Sequence, residues 1–135
     1  MADSMHLSVI SFEGELFSET VAFLKVFSKQ GELGIYPDHT STITLLEHTD
    51  VVYEFPNGDL HSFYVTSGML SIANNRLVVM TDVLKFYDDL NEKEEIKKLK
   101  DAKEKYSKAK QFDKQQYYRD LILQSEAKLR VIEHH

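Results

Sequence analysis

Up to about residue 82 the apolar positions recur at every second residue or gather in short β-branched runs: LSVISF, VAFLKVF, VVYEF, SFYV, MLSI and RLVVMTDV. That period predicts strands whose alternate side chains enter a core. Asn57-Gly58 falls between VVYEF and HSFYV, where φ > 0 at both residues predicts a type I′ hairpin turn, and Asn74-Asn75 separates MLSI from RLVVM in the same manner. Residues 31–39, GELGIYPDH, carry two glycines and a proline and read as a stiff loop. Short strands with turns at intervals of about ten residues and no helices between them predict an antiparallel sandwich or barrel, not a parallel sheet.

From Asn91 the period changes to three and four, with Ile96, Leu99, Ala102, Tyr106 and Ala109 forming one stripe. Asn91 and Glu94 have the spacing of a capping box, and Asp113 with Gln116 repeats it before a second stripe of Tyr117, Leu121, Ile122, Leu129 and Ile132. The intervening SKAKQF is short, so the two helices are expected to lie antiparallel as a hairpin. Neither stripe is wide enough for an independent core, which requires the hairpin to dock on the sandwich or on a partner. The expected fold is therefore α+β in two parts, an N-terminal antiparallel β-sandwich over residues 1–87 and a C-terminal two-helix hairpin over residues 88–135.

Charge divides the chain at the same place. Residues 1–90 sum to −9 and residues 91–135 to +3, giving the net −6. The asymmetry suggests two parts that meet different surfaces, the basic part being drawn to acidic protein. Nucleic acid is disfavoured because the lysines alternate with Glu and Asp. No run of 18 apolar residues occurs and the first residues lack a signal-peptide pattern, so neither membrane insertion nor secretion is expected. The absence of cysteine removes thiolate chemistry.

Several stretches together carry a resemblance: GELGIYPDHTSTITLL, then FYVTSGMLSIANNRLVVMTD, then DDLNE, then AKLRVIE. In this order and spacing, from His6 to Glu133, the chain resembles the epsilon subunit of the bacterial F-type ATP synthase. The resemblance implies a non-catalytic rotor subunit without cofactor, bound to the gamma subunit and to the ring of membrane c subunits, peripheral on the cytoplasmic face of the bacterial plasma membrane and not a homo-oligomer in the complex. It assigns the c-ring contact to Glu32, Leu33, Gly34, Tyr36, Pro37 and His39. Stiffness suits a joint that transmits torque, with Glu32 able to pair with basic side chains and His39 to form a hydrogen bond. The bland reading is that the glycines and Pro37 only shape a turn.

The resemblance also implies that the hairpin can extend and set Lys105, Lys108, Lys110, Lys114, Arg119, Lys128 and Arg130 against an acidic segment of a catalytic beta subunit, restraining ATP hydrolysis. The plain alternative is a solvated basic face. Some relatives hold ATP on the hairpin through an I/L-D-x-x-R-A motif, whose counterpart here is Leu90-Asn91-Glu92-Lys93-Glu94-Glu95. Acidic side chains stand where phosphate would need cations, so nucleotide binding is not expected, with Arg119 and Lys128 the only candidate substitutes.

Two other readings stay open at this stage. A sandwich of this kind could serve as an interaction module of a different complex. His6, His39, His48 and His61, with Glu13, Glu15, Asp38 and Asp82, could furnish a small metal-dependent β-barrel enzyme. Neither the histidine spacing nor any P-loop, GxGxxG or GxSxG motif supports catalysis.

Overall fold

The computed structural model describes residues 3–135. Ten strands come first: β1 (Met5–Ser11), β2 (Gly14–Val21), β3 (Phe23–Ser28), β4 (Gly31–Ile35), β5 (Thr42–Leu46), β6 (Thr49–Glu54), β7 (Leu60–Val65), β8 (Gly68–Ala73), β9 (Arg76–Met80) and β10 (Leu84–Lys85). A short 3₁₀ turn at Tyr87–Asp89 leads to helices α1 (Glu92–Lys108) and α2 (Phe112–Glu133). The strands run in the order β10-β7-β6-β3-β5-β8-β9-β1-β2, with β4 added to the free side of β3. One residue pair, Ser28 with Leu46, joins β3 to β5 and forms a corner. On one side of it lie β4, β3, β6, β7 and β10, and on the other β5, β8, β9, β1 and β2. Pairing is antiparallel throughout except between β1 and β9, which run parallel, a departure from the uniformly antiparallel expectation.

Alternation explains the core. Leu7, Val9, Leu70, Ile72, Leu77 and Val79 from one layer meet Leu24, Val26, Val51, Phe63 and Val65 from the other, all essentially without solvent contact. Phe17, Tyr53, Phe63 and Phe86 pack as tilted and edge-on rings, bringing Phe86, just past β10, into contact with β2 and β7.

Four strands, β2, β4, β5 and the two-residue β10, lie where the sequence pattern predicted none. The GELGI half of the supposed stiff loop is strand β4, in register with β3 from Leu24–Ile35 to Ser28–Gly31; Gly34 faces Phe23, whose ring would lie 3.4 Å from an added Cβ. β2 is an edge strand with mostly exposed side chains, so it lacks an apolar period. β5 turns Ile43 and Leu45 outward and only its last residue, Leu46, into the core.

Of the two expected turns, one forms as expected and one does not. Asn74 and Asn75 both have left-handed φ, 51° and 61°, as a type I′ turn demands. At Asn57-Gly58 only Gly58 has positive φ, because Gly58 N–H donates to the Phe55 carbonyl and Pro56 fixes a longer loop spanning 55–59. Asn91 caps α1 by accepting the Glu94 N–H at 3.0 Å, but the Glu94 carboxylate reaches Lys98 at 2.8 Å instead of returning to close the box. Asp113 is not the cap: α2 begins at Phe112, with Gln111 at the cap position and no side-chain bond from it, and Asp113 Oδ1 accepts the Lys114 N–H at 3.0 Å within the first turn.

The helical stripes are rotated from those predicted. Ile96 is 51% exposed, and Tyr106 and Tyr117 also face solvent, while Glu95 and Ala102 of α1 and Ser125, Ala127 and Val131 of α2 are buried. Small residues let the helices approach closely, and the large ones are left outside. Residues 109–111 form the elbow, closed by Ala109 N–H to the Lys105 carbonyl and by the Gln115 amide donating to the Ala109 carbonyl. α2 lies on β6 and β7, where Tyr64 packs with Ala127, Val131 and Leu90.

Candidate functional site

Three surfaces carry recognisable chemistry. The first begins on β4, whose outward positions are Glu32 and Gly34, with exposed Tyr36 following just after the strand and Leu33 and Ile35 turned inward. Leu33 packs against the core, so it supports this surface and does not form it. Glu32 lies 4.0 Å from Lys25 across the β3–β4 pair, and the Tyr36 ring packs tilted against Phe23, with the ring centres 4.7 Å apart. The loop proper is residues 36–41. Pro37 is half-buried, Asp38 adopts left-handed φ of 66°, and the His39 Nδ1 lies 2.7 Å from the Thr40 carbonyl, to which it donates. That bond fixes the tautomer and leaves Nε2 of the neutral ring as an acceptor. Glu32 and His39 are therefore not neighbours: from Glu32 to the end of β4 the backbone rises about 10 Å.

The second surface is the outer face of β5, β8, β9 and β1. β5 reverses the usual alternation, half-burying Thr42 and Thr44 while leaving Ile43 70% and Leu45 56% exposed. The register aligns Leu45 with Met69, Met69 with Met80 and Met80 with Ile10, an apolar row across four strands. Ile43, Ser71, Val78 and Ser8 form the adjacent row. No part of the hairpin packs on β5, β8 or β9 with more than marginal contact.

The third surface is the seam between hairpin and sandwich, on the opposite layer. Asp50 is 2% exposed and accepts a 2.8 Å bond from Arg130 Nε, whose guanidinium lies 4.7 Å from the Phe27 ring centre. His48, also buried, is 2.9 Å from Asp120 through Nε2 and 3.1 Å from the Tyr64 hydroxyl through Nδ1. Burial, then the charges of Asp120 and Glu95, push the Tyr64 phenol far above its ordinary pKa, so it remains a donor. Lys128 sits over the Tyr64 ring at 5.1 Å and 3.8 Å from Glu95, whose Oε1 accepts no hydrogen bond.

The basic residues singled out in the sequence are thus of three kinds. Lys128 and Arg130 are committed to the seam. Lys105 pairs with Asp101 at 3.0 Å within α1, and that bond raises its pKa. Lys108, Lys110, Lys114 and Arg119 are exposed with no ion pair. A groove of about 380 Å³ runs between the helices, lined by Glu95, Asp101, Lys98, Lys105 and Lys128 among others, with acid and base interleaved. The histidines are dispersed: His6 meets Ser18, His61 lies against Tyr53 and Phe55, and His39 and His48 are placed as above. No group of three or more His, Asp or Glu among the described residues is arranged to hold a metal ion. No helix is long and apolar enough to cross a membrane.

Residues 4–86 match the family model for the ATP synthase Delta/Epsilon chain beta-sandwich domain. The chain belongs to the ATP synthase delta/epsilon family. Its likeness to the ATP synthase epsilon chain of Nitrosococcus oceani is 37% identity over 92 residues, which is 68% of this chain and 66% of that one. Among solved structures it is similar to a chain of the Euglena gracilis mitochondrial ATP synthase, in a cryo-EM structure of the OSCP/F1/c-ring portion, with TM-score 0.73, 17% identity and coverage of 98% and 79% of the two chains. A chain of the Tetrahymena thermophila mitochondrial ATP synthase central stalk and c-ring gives TM-score 0.62, 11% identity and coverage of 95% and 96%. At such identities the structural matches establish a common fold, extending over sandwich and hairpin alike. The epsilon resemblance read from GELGIYPDH and its companion stretches is borne out.

Proposed function

We propose that this chain is the non-catalytic central-stalk subunit of a proton-translocating ATP synthase, coupling a c ring to a gamma subunit on the cytoplasmic face of a bacterial plasma membrane. The observation that carries the coupling role is the reversed alternation of β5. An apolar row from Leu45 through Met69 and Met80 to Ile10, facing outward on the layer that the hairpin leaves bare, is the surface expected of a permanent partner. The gamma subunit is that partner. Glu32 and Gly34 on β4 and Tyr36, Pro37 and His39 on the loop face the polar loops of the c ring.

The hairpin is the regulatory part. Docked, it holds Lys128 and Arg130 against Glu95 and Asp50. Released, it presents these with Lys105, Lys108, Lys110, Lys114 and Arg119 to an acidic segment of a catalytic beta subunit, and rotation in the hydrolysis direction is blocked. The same cations are then shared between two competing partners, which makes a two-state switch. Deleting the residues after Asp89 tests both halves in the assembled complex. Assembly should persist and ATP hydrolysis should rise. Unchanged hydrolysis would leave the hairpin a strut, and failed assembly would remove the sandwich as the coupling element.

A further inference from the structure

We infer that the Asn74–Asn75 turn is the second wall of the ring-contact surface, and that Asn75 is the positioning residue that holds the loop of residues 36–41 in its working shape. The inference rests on the proposal that this loop meets the c ring, and extends it to Asn75, which lies 37 positions along the chain from Asp38. Asn75 Oδ1 accepts the Asp38 N–H at 2.6 Å, and Asn75 Nδ2 donates to Asp38 Oδ1 at 3.1 Å. The Asn75 carbonyl accepts the His6 N–H at 2.9 Å. One asparagine therefore ties together the start of β1, the β8–β9 turn and the loop after β4.

Its side chain is well suited to the task. Asp38 stands in the left-handed region, which costs a non-glycine residue energy unless something holds it there. An amide supplies an acceptor and a donor at once, matching the N–H and the carboxylate of Asp38. A carboxylate at position 75 would repel Asp38, and a hydroxyl would not span both groups. Asn75 is itself left-handed, a conformation that asparagine tolerates and most residues do not.

Asp38, His39, Thr40, Ser41, Asn74 and Asn75 line an open cleft of about 450 Å³. Its chemistry is that of hydrogen bonding beside a single carboxylate, Asp38: hydroxyls from Thr40 and Ser41, an exposed amide from Asn74, and an imidazole acceptor from His39. The occupant is a polar c-subunit loop offering backbone and amide groups.

Glycine preserves the left-handed backbone while deleting the side chain, so Asn75→Gly and Asn74→Gly are the informative variants. In the full-length chain, amide exchange at Asp38 should be about tenfold faster in Asn75→Gly, the loss of one net hydrogen bond, and unchanged in Asn74→Gly. In reassembly of the catalytic part with the membrane sector, both variants should require more of the chain for half-maximal association, as should His39→Ala. Unchanged exchange in Asn75→Gly overturns the positioning role. If His39→Ala weakens association and Asn74→Gly does not, the turn is no second wall. If none of the three alters association, the loop contact itself fails, while the exchange result still decides whether Asn75 holds the loop.

Discussion

Replacing Arg130 with alanine should loosen the hairpin without weakening the sandwich, and the size of the effect follows from the burial of its partner. The Asp50 side chain is 2% exposed and that of Arg130 33%, so the carboxylate depends on the guanidinium far more than the reverse. Removing one member of a buried pair costs about 3–5 kcal/mol. Solvent already reaches Arg130, which lowers the figure, and loss of its contact with Phe27 restores about 0.5–1 kcal/mol. The net expectation is about 2–4 kcal/mol. Undocking returns Asp50 to water, however, so the penalty is relieved by opening the seam and not by unfolding the strands. Opening of α2 should increase by about 30- to 1000-fold, at 1.4 kcal/mol per tenfold. Asp50→Ala should cost less, about 1–2 kcal/mol, because Arg130 can turn to solvent. The double variant should be more stable than Arg130→Ala alone. Residue-resolved amide exchange distinguishes α2 from β6 and β7. Equal, additive single effects, or exchange that accelerates uniformly through the sandwich, would refute the reasoning.

A fragment ending at Asp89 should fold as a β-protein with little helical circular dichroism, because β10 and Phe86 lie within it and the hairpin contributes nothing to the main core; an unfolded fragment would make the two-part division wrong. The raised Tyr64 pKa gives a signed pH effect: the protonated phenol's contribution is complete below the ordinary value of 10.0 and is lost as pH climbs toward the raised one. Urea midpoints should therefore fall above about pH 10, and less steeply in Tyr64→Phe, with the remainder owed partly to Tyr53, whose pKa burial also raises. Glu32→Lys and His39→Ala should leave the fold intact and reduce association of the catalytic part with the membrane sector; normal assembly and proton pumping in both would return these residues to a merely structural role.

The strands that the sequence made legible are those whose inward face is apolar and outward face polar, as in β1 with Met5, Leu7 and Val9 inside. β5 obeys the same period in opposite phase, and a single chain cannot say which phase faces a partner. β4 was hidden by its glycines, which serve close packing against Phe23 and not only a turn. In α1 the buried position is Glu95 and not its apolar neighbour Ile96, because Lys98 and, from α2, Lys128 flank the carboxylate; the latter contact is invisible along one helix. His48, Asp50, Tyr64 and Asn75 were missed for that reason too: each gains its role from a residue 16 to 80 positions away. The sequence did contain one signal, an aspartate directly before VVYEF, where an acid beside a buried run calls for a partner.

The elbow at residues 109–111 has a consequence for movement. Neither glycine nor proline occurs anywhere after Gly68, and Ala, Lys and Gln at the bend are among the best helix formers. Nothing local breaks the helix there. The bend is held by the packing of α1 on α2, with Lys128 3.8 Å from Glu95 and the Gln115 amide on the Ala109 carbonyl, so the hairpin straightens only if those contacts are given up together with the seam. Residues 92–133, freed together, favour one rod of about 60 Å. Docking reaches the sandwich through α2 alone, so a longer reach for this arm would require both the seam and the α1–α2 packing to be released.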